Sequence, residues 1–185
     1  MSLETERLIL RRPEPGDRDA YAEIFGDPEV MRFIGVGKTV APEDVPRSIE
    51  RMLRHWDRHG VGLFSVIRKE DDRLVGRTGY LLWDTTRWVS AMHEALDGDL
   101  GLEIGWTFAR AFWNRGYATE AAIACRDHAF GELGRKKVIS LIARENIASI
   151  RVAEKIGETL DQQDIQSLVL AGTVDLYSLG NRPAL

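Results

Sequence analysis

The sequence holds one cysteine and no apolar run approaching the roughly 20 residues that span a bilayer. Each shortage removes a class of protein. Cys125 alone cannot form an internal disulfide, and no Cys/His cluster has zinc spacing, so disulfide scaffolds and structural zinc modules are excluded. No G-x-x-x-x-G-K-[ST] occurs, which removes the P-loop. No G-x-G-x-x-G with a later acidic residue occurs, which removes the usual dinucleotide fold. Repeats, low-complexity tracts and Ser/Gly linkers are absent. An excess of positive charge is also missing. The 25 Lys+Arg against 29 Asp+Glu leave a net charge of -4, which argues against bulk binding of nucleic acid. Met1 to Arg12 is charged and strand-like, unlike a signal peptide, so a cytoplasmic location without membrane partners is expected.

What remains is an ordinary globular composition: 185 residues, 44% apolar, 29% charged, mean hydropathy -0.24. One domain over 1–185 is expected, burying about 70% of the surface its unfolded chain exposes, with no metal needed to fold. Thr5 to Arg12 reads as a strand, broken by Pro13 and Pro15-Gly16-Asp17. Asp17 can cap a helix to Phe25, which Gly26-Asp27-Pro28 ends. Pro42 opens a longer helix. Val45, Ile49, Met52, Leu53 and Trp56 share one of its faces, and Gly60 stops it. Leu63 to Ile67 and Leu74 to Trp83, around Glu70-Asp71-Asp72, form a hairpin. Residues 84–99 read as an excursion with a short helical turn near 91–96, where specificity is expected to reside. A strand over Leu100 to Phe108 leads through a loop to a helix over Thr119 to Leu133, with Ala122, Cys125, Ala129 and Leu133 as its buried stripe and Gly134 at its end. Lys137 to Ala143 is a strand, Ser149 to Ile156 a helix, and Leu168 to Leu179 carries strand pattern. The order is β-α-α-β-β-β-α-β-α-β-β, with a β-α-β unit in the middle.

The chemistry concentrates in that unit. In Glu103 to Thr119, E-I-G-W-T-F-A-R-A-F-W-N-R-G-Y-A-T, a strand runs into a loop with Gly116 and Ala118 before the helix. A helix start offers unpaired N–H groups and the positive end of the macrodipole, and small residues let a phosphate approach. The loop is therefore a candidate phosphate cradle, to which Thr119 adds a hydroxyl and Arg115 a cation. A glycine serving turn geometry alone is the competing reading. Asn146 and Ser149 stand at the next strand-to-helix junction. Each is a good N-cap taken singly. Together, one crossover after the loop, they lie where ligands bind parallel units, beyond the carboxyl ends of adjacent strands.

E-I-G-W-(x)6-W-N-R-G-Y-A-T-E-A followed by E-N-I-A-S-I-R-V-A-E-K-I-G resembles the GNAT superfamily of acyl-CoA-dependent N-acetyltransferases. The opening T-E-R-L-I-L-R-R and closing D-L-Y-S-L resemble its ribosomal-protein alanine/serine N-terminal acetyltransferase branch. The resemblance implies an α+β fold: a mostly antiparallel sheet of six to seven strands, a splayed parallel pair in its middle, and about four helices. It implies that Trp113, Asn114, Arg115, Gly116, Tyr117 and Ala118, with Thr119, hold the coenzyme A pyrophosphate through backbone N–H groups. Trp106, Thr107 and Phe108 would pair strand-like with the pantetheine arm, and Asn146 would hydrogen-bond it. Ser149 would lie near the thioester sulfur and Glu103 would face the acceptor. Trp113 stands where relatives often have Gln or Arg. Asn114 stands where the branch often has Gly, though Asn tolerates positive φ. Ala153 replaces a frequent Tyr acid, and Glu158 a frequent aromatic.

The expected reaction is direct attack of an amine on acetyl-CoA. An alkyl ammonium titrates near about 10, so a base is required, and Glu103 is the candidate, with a sheet-surface carboxylate as its competing reading. The strand around Trp106 would supply an N–H to the developing oxyanion. Ser149 helps little, because a thiolate leaves well unaided. The acceptor is a peptide N-terminus or a small amine, and the enzyme a monomer or homodimer. A non-catalytic acyl-CoA sensor and a scaffold without coenzyme are the rival classes. Cys125 is expected in the core. His55 and His59 are expected at an exposed helix end, His93, Trp83 and Trp88 near the acceptor, with simple packing as the competing reading of the aromatics, and Arg68, Arg73 and Arg77 in water beside the hairpin.

Overall fold

The computed structural model describes residues 1–170 and 172–181. Ala171, inside the expected tail strand, and residues 182–185, at the end of the expected domain, lie outside the described residues. The strand expected over Thr5 to Arg12 is β2 (Leu8–Arg11), and a short β1 (Ser2–Glu4) precedes it and pairs with it antiparallel. Thr5 makes the turn: Leu8 N donates to its Oγ1 at 3.0 Å, and Thr5 N donates to Leu8 O at 2.9 Å. The α1 helix (Arg18–Gly26) follows a 3-10 turn in which Glu14 N donates to the Asp17 carboxylate at 3.0 Å. Pro28 does not merely stop α1. Asp27 Oδ1 accepts from Glu29 N, and Pro28 supplies N1 of a further short helix, α2 (Pro28–Met31). The long helix α3 (Val45–His59) buries Val45, Ile49, Met52 and Trp56 and ends on Gly60 at φ +69°.

The hairpin is β3 (Leu63–Arg68) and β4 (Arg73–Asp84). Within 84–99, β5 (Val89–Ser90) folds back onto β4. The helical turn expected near 91–96 shrinks to one turn in which His93 N and Glu94 N both donate to Ser90 O. Then come β6 (Gly101–Phe108), α4 (Tyr117–Gly131), β7 (Lys137–Ala143), α5 (Ile147–Lys155), β8 (Thr159–Gln166) and β9 (Thr173–Gly180). The sheet runs β1-β2-β3-β4-β6-β7-β9-β8, with β5 on β4. It exceeds the expected six to seven strands because β1 precedes the expected first strand and β5 adds a fragment, and α2 raises the helix count to five. Among the described residues no helix is long and apolar enough to cross a membrane.

Two layers cover the sheet. On one face α4 lays Ala121, Ala122, Cys125 and Ala129, all 0% exposed, against Tyr80, Leu102, Ile104 and Val138. Small side chains let the helix sit close to the strands, and Cys125 belongs to this core as expected. The other face carries α1 and α3, with Tyr21, Phe25, Ile49 and Met52 packed on Leu63 and Leu81. Every strand pair is antiparallel except β6–β7, which is parallel and is paired at one position, Glu103 opposite Ile139. Beyond that rung the two strands part.

Candidate active site

The parting of β6 and β7 exposes backbone. Ser140 Oγ donates to Ile104 O at 2.9 Å, so the polar groups of Ile104 face β7. A strand repeats every two residues, so the Trp106 N–H faces the same way, into the gap. The opposite edge of β6 is satisfied by β4 from Gly101 to Phe108. Ser140, Leu141, Ile142 and Ala143 of β7 line the far side, and a cavity of about 450 Å³ runs from this gap to the α1/α3 face of the sheet. Trp106, Thr107, Asn146 and Ser149 line it together with Glu103. Five of the expected residues, separated by up to 46 positions, thus share one space.

Glu103 is 7% exposed, on the α3 face. The Trp83 indole N–H donates to its Oε2, and Leu141 N approaches Oε1 at 3.4 Å. Burial pushes the carboxyl group up to about 7, against the Trp83 hydrogen bond and the field of Arg77. A carboxylate that titrates near neutrality at the wall of a cavity has a base's proton affinity.

Asn146 caps α5: its Oδ1 accepts from Ser149 N at 3.2 Å. The cap and the ligand reading are compatible, because the cap uses the oxygen and leaves the amide N–H groups. Ser149 Oγ accepts from Trp106 Nε1 at 3.2 Å, so its own proton remains available to a neighbour.

At the mouth of α4 the chain turns through Asn114 at φ +58° and Gly116 at φ +81°. Gly116 is the N-cap and has no side chain to cap with. The N–H groups of Arg115 to Thr119 have no acceptor among the described residues, and Glu120 N is the first to bond back, to Gly116 O. Phe112 and Tyr117 are buried beneath the loop, and the Trp113 indole donates to Phe108 O at 2.7 Å, tying the loop to the end of β6. Trp113 therefore serves by its N–H, which Gln or Arg also carries. Arg115 lies over the Phe112 ring at 5.8 Å, beside the cradle.

Two residues gain a weight that the sequence reading does not give them. Arg7 donates to Arg115 O at 3.0 Å, pairs with Glu120 at 2.6 Å and lies 4.5 Å over Tyr117, bringing a second cation to the cradle. No local pattern reveals this, since the partners are more than 100 residues apart. Glu158 is 2% exposed, and neither carboxyl oxygen has a hydrogen-bond partner among the described residues. Burial pushes it up to about 7. Its replacement of an aromatic was the available signal.

Three expectations are corrected. Arg77 does not flank the hairpin in water. It lines the cavity, 4.8 Å from the Phe25 ring, because its β4 face is the one α1 and α3 cover. Arg68 is also mostly covered, over Phe112 and paired with Asp71. His55 is 3% exposed rather than at an exposed helix end, and its Nδ1 bonds Val61 O at 2.9 Å. Burial holds it down at about 4, hence neutral. His93 and Trp83 line the cavity, whereas Trp88 packs with Ile139, Ile165 and Leu176.

Residues 7–159 match the model of the acetyltransferase (GNAT) domain. The chain belongs to the GNAT acetyltransferase family. It is similar to the uncharacterized protein YkkB of Bacillus subtilis, 33% identical over 84% of this chain and 83% of that one. A solved GNAT-family acetyltransferase from Bacillus anthracis has 26% identity, with a TM-score of 0.76 over 97% of this chain and 98% of its own. The ribosomal L7/L12 alpha-N-protein acetyltransferase RimL, solved in complex with coenzyme A, has a TM-score of 0.76 over 97% and 98% of the two chains. At 13% identity it is similar in fold alone. Membership in the GNAT family makes the chain an acetyl-CoA-dependent acetyltransferase.

Proposed function

We propose that the chain moves the acetyl group of acetyl-CoA to a primary amine by direct attack with both substrates bound. One observation carries this reading: the single β6–β7 rung, with a near-neutral carboxyl group on one side and an open strand edge leading toward unpaired helix N–H groups on the other. Asn114, Gly116, Tyr117, Ala118 and Thr119 would hold the pyrophosphate by backbone N–H groups, with Arg7 and Arg115 as nearby cations. The fit rests on the backbone: Gly116 at φ +81° turns the chain so that the N–H groups of Arg115 to Thr119 are left without an acceptor among the described residues. Trp106, Thr107 and Phe108 would receive the pantetheine along the open edge, with Asn146 donating to it. Acetyl-CoA supplies a thioester already activated for transfer.

Glu103 takes the amine's proton, its affinity set near neutrality by burial. The Trp106 N–H is aimed to stabilise negative charge on the thioester oxygen. Ser149 can donate its proton toward the sulfur, since its lone pair holds the Trp106 indole. Bringing both reactants together contributes about 7–11 kcal/mol. We take 1–185 as one cytoplasmic catalytic domain, monomeric or homodimeric, acting on a peptide N-terminus or a small amine. Thermal shift with acetyl-CoA, followed by thiol release over an amine panel, tests the reading. A shift with no turnover would mark a coenzyme sensor, and no shift would remove the coenzyme site altogether.

A further inference from the structure

Arg77 is the cavity's unexplained charge. In the register of β4 on β6 it stands opposite Thr107, followed by Gly79 opposite Gly105 and Leu81 opposite Glu103. On the α1/α3 face the row therefore runs from Arg77, past Gly105, to Glu103. A Cβ on Gly105 would meet nothing within 4 Å, so the stretch between the two charges is open floor. The guanidinium touches an aromatic face and a thioether, Phe25 at 4.8 Å and Met52 Sδ at 3.8 Å. Among the described residues no carboxylate lies within the 4.0 Å of an ion pair, although Arg7, Arg11, Arg68 and Arg144 each hold one.

An arginine does not shed its proton, so a half-buried one set among apolar groups without a paired anion is disfavoured until a ligand brings that anion. The rest of the lining points the same way. Glu103 is its one carboxylate among the described residues, while Lys38 and Arg51 stand with Arg77 on the positive side, and burial and the field of Arg51 hold the pKa of His93 down, which favours its neutral ring. Met31, Leu63, Leu81 and Met92 make the walls apolar. The coenzyme's phosphates do not satisfy Arg77, because α4 lies on the opposite face of the sheet.

We propose that the acceptor is a small amine bearing a carboxylate on an apolar body, as a free apolar amino acid does, and that Arg77 binds this carboxylate while the amine faces Glu103. This rests on the acetyl-transfer reading of the same cavity and narrows it. The balance needs no further reactant. A C–N bond forms as the C–S bond breaks, the amine's proton passes to Glu103, and the sulfur leaves as thiolate with its electron pair and becomes the thiol by taking up a proton from solvent as Glu103 releases its own. A polyamine would meet three cations, and a peptide N-terminus brings no carboxylate at that distance.

The test gives the full chain acetyl-CoA with leucine, methionine or phenylalanine, with their amides, with spermidine, and with tripeptides beginning in alanine or serine. The free acids should exceed their amides by about tenfold or more in kcat/KM. Arg77→Met should raise KM for the acids about 100-fold and close the gap to the amides, and Arg77→Lys should restore part of the loss. Binding gives a second readout. N-acetylleucine, but not N-acetylleucinamide, should raise the Tm of the coenzyme A-saturated protein, and Arg77→Met should lose that shift while keeping the shift from acetyl-CoA. Preference for amides, spermidine or tripeptides, or equal shifts by acid and amide, would overturn the proposal and leave acetyl transfer standing. No shift with acetyl-CoA and no thiol from any amine would overturn both.

Discussion

Replacing Trp83 by Phe removes one N–H from Glu103 and leaves the other groups of the cavity in place. The indole donates to Glu103 Oε2, and that bond favours the charged form against the burial that pushes the group up to about 7. A hydrogen bond to a charged group is worth about 1.5–3 kcal/mol, or about 1–2 pH units. Losing the donor favours the neutral acid, so Glu103 should then deprotonate near about 8–9. A base works only once deprotonated. The acid limb of kcat/KM must therefore move up by about 1–2 pH units in Trp83→Phe. The rate at pH 7 falls by about 5- to 50-fold and most of it returns by about pH 9.5. Thiol release measured across pH 5.5–10 with one fixed acceptor reads this directly. The acceptor's own ionisation is common to both enzymes and cancels. The lost packing of a side chain 2% exposed costs about 1–3 kcal/mol of stability, which lowers Tm without moving a limb. An acid limb that stays in place, moves down, or gives way to a uniform loss at all pH values refutes Glu103 as the base. Glu103→Gln is the companion: kcat should fall by about 10²- to 10⁴-fold with the affinity for coenzyme unchanged.

Gly116→Val forces a branched residue to φ +81° in the cradle, and calorimetry should show acetyl-CoA affinity reduced by more than about tenfold. Wild-type affinity would place the coenzyme elsewhere. Glu158 has its native proton affinity raised to about 7, above the ordinary carboxyl value, so the folded state keeps a proton the unfolded state has lost. Stability therefore falls as pH rises from about 4.5 to 7, by about 3 kcal/mol in total. Glu158→Gln should abolish this loss, and its Tm relative to wild type should improve by about 5–10 °C from pH 5 to pH 8. A constant difference would show that Glu158 does not titrate there. Ser149→Ala should lower kcat only a few-fold, since a thiol near about 8.5 is already a good leaving group; a loss above about 100-fold would make Ser149 an essential acid.

Local pattern revealed what local physics decides. The period of α3, the stripe of α4, the Asn146 cap and the Gly116 turn each follow from neighbours within a few positions, and so were legible. The same holds for the two strand-to-helix junctions at which coenzyme binding is proposed, since each spans only a few neighbouring positions. Arg77, Arg7 and Glu158 were not legible, because their environments are made by distant elements. Arg77 alternates correctly on β4, but only the packing of α1 and α3 shows that its face is dry. Arg7 meets Glu120 because β1–β2 and α4 converge, which no window of sequence contains. His55 was placed in water on the strength of its position near a helix end, whereas Val61, just past Gly60, folds back over it.

A strand with unused hydrogen-bonding groups ordinarily invites another chain to dock and begin a fibril. Here the unused groups of β6 open onto an inner seam, walled by β7 on the far side, while the rims of the sheet are β1 and the polar β8. A folded stranger has no line of approach to such a seam. A thin tether with amides of its own can thread it, so the protein keeps a sticky edge in reserve for a guest and conceals it from its siblings.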